Sequence, residues 1–191
     1  MNFNEINIST ERLILRGIKA SDAESMFKYR SNPQIYKFQS WKPQTLEEVK
    51  EFIYEKTAKI PNIPDKWYQL GILFKETDEL IGDIGIHFID SDNLQVEIGF
   101  TLSLEHQCKG YATEAIIGVI NYLFNNLKKH RIIASVDPRN IKSIALLERI
   151  QMRKEAYFKK RFLFNNEWAD DVVYAILKEE WDNEKVKRNN E

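Results

Sequence analysis

An α/β class fold, a mixed and mostly antiparallel sheet flanked by helices, is what the sequence predicts, and three observations predict it. Residues 67–74, 80–89 and 94–102 are short runs rich in β-branched and aromatic side chains, separated by polar turns at 75–79 and 90–93, the pattern of an antiparallel meander. A helical period over 112–126 and a β-rich run at 131–136 follow, and a strand, helix, strand order favours a crossover connection. Finally, the runs 155–164 and 168–177, joined across Asn165-Asn166, form a closing hairpin.

The remaining elements follow in chain order. Residues 11–16 place Leu13 and Leu15 on one face and Arg12, Ile14 and Arg16 on the other, which predicts a first strand. Ser21-Asp22-Ala23-Glu24 has the form of a capping box and predicts a helix to about Arg30, where Pro33 enforces a break. Thr45-Leu46-Glu47-Glu48 repeats the box and opens a second helix, with Val49, Phe52, Ile53 and Lys56 on one stripe to about Lys59; Pro61 and Pro64 end it. In the helix of 112–126, Ile116, Val119, Ile120, Leu123 and Leu127 recur at helical spacing. Asn140 caps a last helix reaching about Ile150. Residues 182–191 are charged and nearly devoid of large apolar side chains, so residues 1–181 are expected to form one domain followed by a flexible tail.

With 191 residues and 43% hydrophobic content the chain is long enough to bury a sizeable core in one domain. A net charge of -1 supplies no long-range field to recruit nucleic acid or an anionic membrane, so any polyanion site has to be local. One cysteine cannot staple a secreted fold, no run approaches the roughly 18 apolar residues of a bilayer span, and the N-terminus lacks the pattern of a signal peptide. These features predict a cytoplasmic protein. An exposed edge strand or helix face leaves a homodimer open.

The stretch richest in chemistry is Val96-Glu97-Ile98-Gly99-Phe100-Thr101-Leu102, followed by Gln107-Cys108-Lys109-Gly110-Tyr111-Ala112-Thr113. A strand leads through a tight turn into a helix whose first amides lack internal partners, and the helix dipole adds partial positive charge, so the turn suits a pyrophosphate. Gly110 lets the backbone approach closely, Ala112 keeps the next position uncrowded, and Lys109 supplies a mobile cation. The dipole contributes only about 0.3 to 1 kcal/mol at an exposed end, so several amides have to act together.

These residues resemble the GNAT superfamily of N-acetyltransferases, whose cofactor turn reads Gln or Arg, two residues, Gly, one residue, then Gly or Ala; Gln107, Gly110 and Ala112 fit that form. Asp137-Pro138-Arg139-Asn140-Ile141-Lys142-Ser143-Ile144-Ala145-Leu146-Leu147-Glu148-Arg149 looks like the family's second cofactor segment, with Asn140 and Ser143 matching. With Thr10-Glu11-Arg12-Leu13-Ile14-Leu15-Arg16 and Glu97-Ile98-Gly99, the likeness is closest to the branch that acetylates N-terminal amines of ribosomal proteins. The resemblance implies a GNAT-like acyl-CoA N-acyltransferase fold and acetyl-CoA as donor to an amine acceptor. It implies cofactor contacts at Phe100, Thr101, Leu102, Gln107, Cys108, Lys109, Gly110, Tyr111, Ala112, Thr113, Asn140 and Ser143. It also implies Glu97 as the base and Ser143, or water, as the acid for the departing thiolate. The chain departs from the family at Cys108, where glycine is usual, at Ile150-Gln151-Met152, where Leu-Gly-Phe is frequent, and at Leu147, where many relatives carry a tyrosine acid.

Other readings stand beside these. Glu97 alternates with Val96 and Ile98 and equally fits the polar face of a strand. Asn140 and Ser143 also suit helix capping. His106 and Cys108, two residues apart and without a third orienting group, make a weak nucleophile pair, and His87 and His130 are too scattered for a metal site. Tyr36, Phe38, Trp41, Trp67 and Tyr68 are candidates for an acceptor pocket or for core. A noncatalytic acyl-CoA-binding module is the alternative function.

Overall fold

The computed structural model of the chain describes residues 5–39, 41–89, 92–164 and 167–183. Eight strands form one sheet: β1 (Asn7–Ser9), β2 (Leu13–Gly17), β3 (Lys66–Phe74), β4 (Leu80–Phe88), β5 (Gln95–Leu102), β6 (Arg131–Val136), β7 (Arg153–Phe164) and β8 (Glu167–Leu177). Their spatial order is β1-β2-β3-β4-β5-β6-β8-β7, and every neighbouring pair is antiparallel except β5 and β6. The helices are α1 (Ala23–Arg30), α2 (Pro33–Tyr36), α3 (Leu46–Glu51), α4 (Tyr111–Asn125) and α5 (Ile141–Arg149).

Alternation along the strands divides the side chains between two faces. One face buries Leu13, Leu15, Leu70, Ile84, Ile86, Val96, Ile98 and Ile132 against the stripe of α4 formed by Ile116, Val119, Ile120 and Leu123. On the other, Leu73 and Leu80 pack with Met26, Tyr29, Val49 and Ile53 of the helical segment between β2 and β3. Asp83 is fully buried there. It accepts from the Tyr29 hydroxyl at 2.5 Å, Gln69 Nε2 at 2.5 Å and Arg30 Nε at 3.0 Å, and Arg30 Nη2 adds a second contact. Burial, followed by the Asp83 charge, pushes the Tyr29 hydroxyl well above its ordinary pKa, so it stays a donor.

Several local expectations are corrected. Ser21 caps nothing: Asp22 instead accepts from the Lys19 amide at 2.7 Å and pairs with Arg16, so a short 3-10 turn at Ala20–Asp22 precedes α1. Pro33 begins a helix, because its fixed φ suits the first helical position and Asn32 caps it by accepting from the Gln34 amide. Thr45 caps α3 as expected, yet the returning Glu48 carboxylate reaches the Gln44 amide, and past Glu51 the helix widens into a π-type turn at Phe52–Lys56. Of the expected tail, Asp182 and Asn183 continue a helical stretch over 178–183, and the rest lies outside the described residues, as do Asn165 and Asn166.

The feature that positions the site is the parting of β5 and β6. Their parallel pairing runs through Gln95↔Arg131 and Val96↔Ile132 and stops at Glu97↔Ile133, although β5 continues to Leu102 and β6 to Val136. Beyond that pair the two strands leave a wedge.

Candidate active site

The wedge opens toward the turn that enters α4. Gly110 adopts φ 84°, a left-handed conformation that glycine takes without steric penalty, and it ends the turn so that Tyr111 starts the helix. Cys108 adopts φ 62°, the same region, which explains glycine's usual presence at this position in the family it resembles. Among the described residues, the main-chain amides of Cys108 through Thr113 donate to no protein acceptor. Consecutive free amides at the N-terminus of a 15-residue helix are the donor set an anion requires.

The turn is braced from behind. Glu114 accepts from the Thr10 hydroxyl and from the Arg12 amide at 2.8 Å, and pairs with Arg12 Nε at 2.7 Å. Arg12 Nη1 reaches the Lys109 carbonyl at 3.3 Å, and its guanidinium lies 4.4 Å from the centre of the Tyr111 ring. Partial burial works to raise the Glu114 pKa, but these hydrogen bonds outweigh it and hold the carboxyl below its ordinary value. An acid in the first turn is therefore directed into a clamp, and the free amides are left for an outside ligand.

The opposite wall is α5. Asn140 accepts from the Ser143 amide at 3.3 Å, so its side chain caps the helix. Lys142 Nζ reaches Gln107 Oε1 at 3.2 Å, and Gln107 Nε2 in turn donates to the Leu102 carbonyl at 3.1 Å. Thr101 turns its hydroxyl to Gln39 at 3.3 Å. Leu147 is buried in the core and supplies no acid.

Two cavities meet at this wedge. The larger, about 780 Å³, is lined by every residue expected to hold the cofactor except Lys109: Phe100, Thr101, Leu102, Gln107, Cys108, Gly110, Tyr111, Ala112, Thr113, Asn140 and Ser143. Lys37, Arg139, Lys142 and Arg149 also line it, and among the described residues no carboxylate does. The smaller, about 320 Å³, is lined by Glu97, Asp137, Asp170 and Asp171 together with Phe38, Trp67 and Phe162; among the described residues no lysine or arginine lines it, although Arg139 pairs with Asp137 and Arg161 with Asp171. Phe38, Gln39, Phe100, Asn140 and Ser143 belong to both. The Lys109 side chain lines neither cavity.

Glu97 stands on the face opposite α4, in a row of paired residues formed by Trp67, His87, Glu97, Ile133 and Ala175. Burial raises its pKa first and the nearby Asp171 raises it further, while His87 and Arg161 oppose the shift. Asp171, itself buried, accepts from the Ser135 hydroxyl and from Arg161 Nη1 at 2.7 Å. Arg161 is held between Phe158 and Phe162, 4.5 and 5.0 Å from their ring centres.

The other candidates disperse. His106 is engaged by Ser103 at 2.6 Å and stands edge-on to Phe74, and Cys108 is exposed. Of the aromatic set, Phe38 and Trp67 line the smaller cavity, whereas Trp41 stacks on Phe52, Tyr68 is core and Tyr36 lies under Lys42. Among the described residues no group of His, Cys, Asp or Glu is placed to hold a metal, and no helix is long and apolar enough to cross a membrane. The Arg12 clamp, the cations of the larger cavity and the Asp170-Asp171 doublet are additions from the structure. The doublet had one available signal, since two adjacent acids in a strand cannot both face outward.

The sequence matches the Acetyltransferase (GNAT) domain family over residues 12–153. It is 34% identical over 176 residues to the uncharacterized N-acetyltransferase YnaD of Bacillus subtilis (strain 168), covering 92% of this chain and 99% of that one. A more distant relative, 24% identical over 94% of this chain and 95% of its own, is the [Ribosomal protein uS5]-alanine N-acetyltransferase of Escherichia coli (strain K12). The structure superposes on that of an acetyltransferase (GNAT family) from Bacillus anthracis with a TM-score of 0.82 and 32% identity, covering 92% of this chain and 100% of that one. The noncatalytic reading finds no support in these relatives. Acetyltransferases of this kind generally use acetyl-CoA, and the amides before α4, the parted strands and the cation-lined cavity fit a diphosphate-bearing thioester. By sequence across most of its length and by the wedge its sheet forms, the chain belongs to the GNAT family and is an N-acetyltransferase.

Proposed function

We propose that the chain transfers the acetyl group of acetyl-CoA directly to a primary amine, of a protein or peptide N-terminus or of a small molecule, with Glu97 receiving the amine proton. One observation carries this reading. The two cavities that abut at Phe100 and Ser143 differ in polarity: Arg139 and Asp137, one from each lining, are paired with each other and Asp171 with Arg161, which leaves Lys37, Lys142, Arg149 and the free amides on one side and Glu97, Asp170 and aromatic rings on the other. A polyanionic donor and an ammonium acceptor are the pair that such a division suits.

The chemistry follows from the charges. An acceptor α-amine of pKa near 8 costs roughly 1.4 kcal/mol to deprotonate at pH 7, and a lysine amine near 10.4 costs about 4.6 kcal/mol. Glu97 takes that proton, directly or through water, and its raised pKa brings it closer to the amine than an exposed carboxylate would be. The free amine attacks the thioester carbonyl, the new C–N bond forms, and the C–S bond breaks. Main-chain amides near Phe100 to Leu102, where β5 has run past its pairing with β6, serve the developing oxyanion. The Ser143 hydroxyl, at the border of the two cavities, or a water molecule protonates the departing thiolate and is made whole by the second proton that the newly acylated nitrogen sheds.

Thiol release from acetyl-CoA, followed with an alanine-initiated peptide, spermidine and an aminoglycoside, tests the reading. At least one amine accelerates release, and Glu97→Gln slows it by roughly two orders of magnitude while acetyl-CoA affinity holds. Acetyl-CoA binding without release for any amine sinks the proposal. A Glu97→Gln rate equal to the parent's from pH 6 to 9 removes Glu97 from it.

A further inference from the structure

Gly99 lies on β5 two residues past the last β5–β6 pair, on the same face as Glu97 and about 6.8 Å further along the strand. It lines the smaller cavity beside Glu97. A Cβ at this position would meet no heavy atom within 4 Å, and its φ is not in the left-handed region. Neither space nor conformation within the protein therefore requires glycine here, and glycine weakens a strand interior. Directly across the ladder stands Gly85, where a Cβ would come within 3.0 Å of the Trp67 ring. The indole thus covers Gly85 and forms a wall beside the open space over Gly99.

We propose that the bare surface of Gly99 is the seat of the acceptor's amine-bearing carbon, with the Trp67 ring as its side wall and Glu97 as its neighbour toward the base. This rests on the acetyl-transfer reading and adds to it the location of the acceptor. The indole is stacked on His87, ring centres 4.9 Å apart, and walls the seat with its edge, while an arriving ammonium is attracted by the Glu97 carboxylate. Once deprotonated at Glu97, its nitrogen stands where β5 and β6 part, the side from which the thioester is reached. A methyl group on residue 99 fills that seat without disturbing the protein around it.

The seat predicts an unusual combination of effects. In Gly99→Ala and Gly99→Val, melting temperature is unchanged or higher and acetyl-CoA affinity by calorimetry stays within about twofold, because the cofactor wall is untouched and a side chain supports the strand. With spermidine and the alanine-initiated peptide as probes, kcat/KM for the amine falls about tenfold for Ala and about a hundredfold for Val, since displacing the nucleophile by an ångström costs on that order. Thiol release by the parent at rates the variants match overturns the seat and leaves the acetyl-transfer reading standing. Absence of release by the parent with either amine overturns both.

Discussion

At the scale of single residues, Glu97, the proposed base, works against the fold that holds it. Its pKa is raised by burial first and by the Asp171 charge second. A carboxyl whose folded pKa lies above its unfolded value contributes stability that is fully present below the unfolded value, near 4.3, and is lost as pH rises through the folded one. Above the unfolded value Glu97 therefore costs stability. Glu97→Gln is expected to melt at a higher temperature than the parent at pH 7, with the gap narrowing as pH falls toward about 4; a gap that does not change with pH in thermal melts contradicts this. Strand alternation made Glu97 legible as a residue set apart from Val96 and Ile98. Its electrostatic surroundings were not legible, because Asp171 and Arg161 arrive from the closing hairpin and no local pattern links that segment to β5. The same holds for Asp83, whose partners Tyr29, Arg30 and Gln69 come from α1 and β3.

Among elements, those with a long, strict period were readable and those decided by a few tertiary contacts were not. The apolar stripe of α4 and the β-rich runs of β3 to β6 emerge within a residue or two of their expected ends. β1 has only three residues and owes its existence to pairing with β2, while the expected cap at Ser21 loses to the bond between Asp22 and Arg16. The end of α5 also departs from local preference. Gln151 adopts φ 67° just after the helix, with its amide bonded to Glu148 and the Met152 amide bonded to Leu147, the left-handed ending that glycine favours. Gln151→Gly is expected to stabilise the chain by about 1 kcal/mol by relieving the Cβ clash of that conformation. Urea unfolding measures it as a higher midpoint at constant slope, and an unchanged or lower midpoint shows that the glutamine side chain contributes more than its backbone strain removes.

For the whole molecule, a net charge of -1 conceals a division into a cationic and an anionic cavity. Composition could not reveal it, because Lys37, Arg139, Lys142 and Arg149 converge from separate segments only after the sheet has brought α5 beside the turn before α4. On the proposed reading that convergence acts on the diphosphate of acetyl-CoA. Saturation at 100 times the dissociation constant adds about 2.7 kcal/mol to native stability. For a chain of this length that corresponds to a rise of about 5 to 11 °C in melting temperature. If residues 1–181 fold as one domain, the rise moves a single unfolding transition as a unit. Acetyl-pantetheine retains the thioester and the arm that would lie between β5 and β6 but lacks the diphosphate. At equal concentration it should produce only a small part of the shift, and added salt should reduce the acetyl-CoA shift more than the acetyl-pantetheine one, because only the former involves charges that salt screens. Equal shifts from both ligands would show that the free amides from Cys108 to Thr113 and the surrounding cations contribute nothing to binding, and the thioester would then have to be held by the wedge alone.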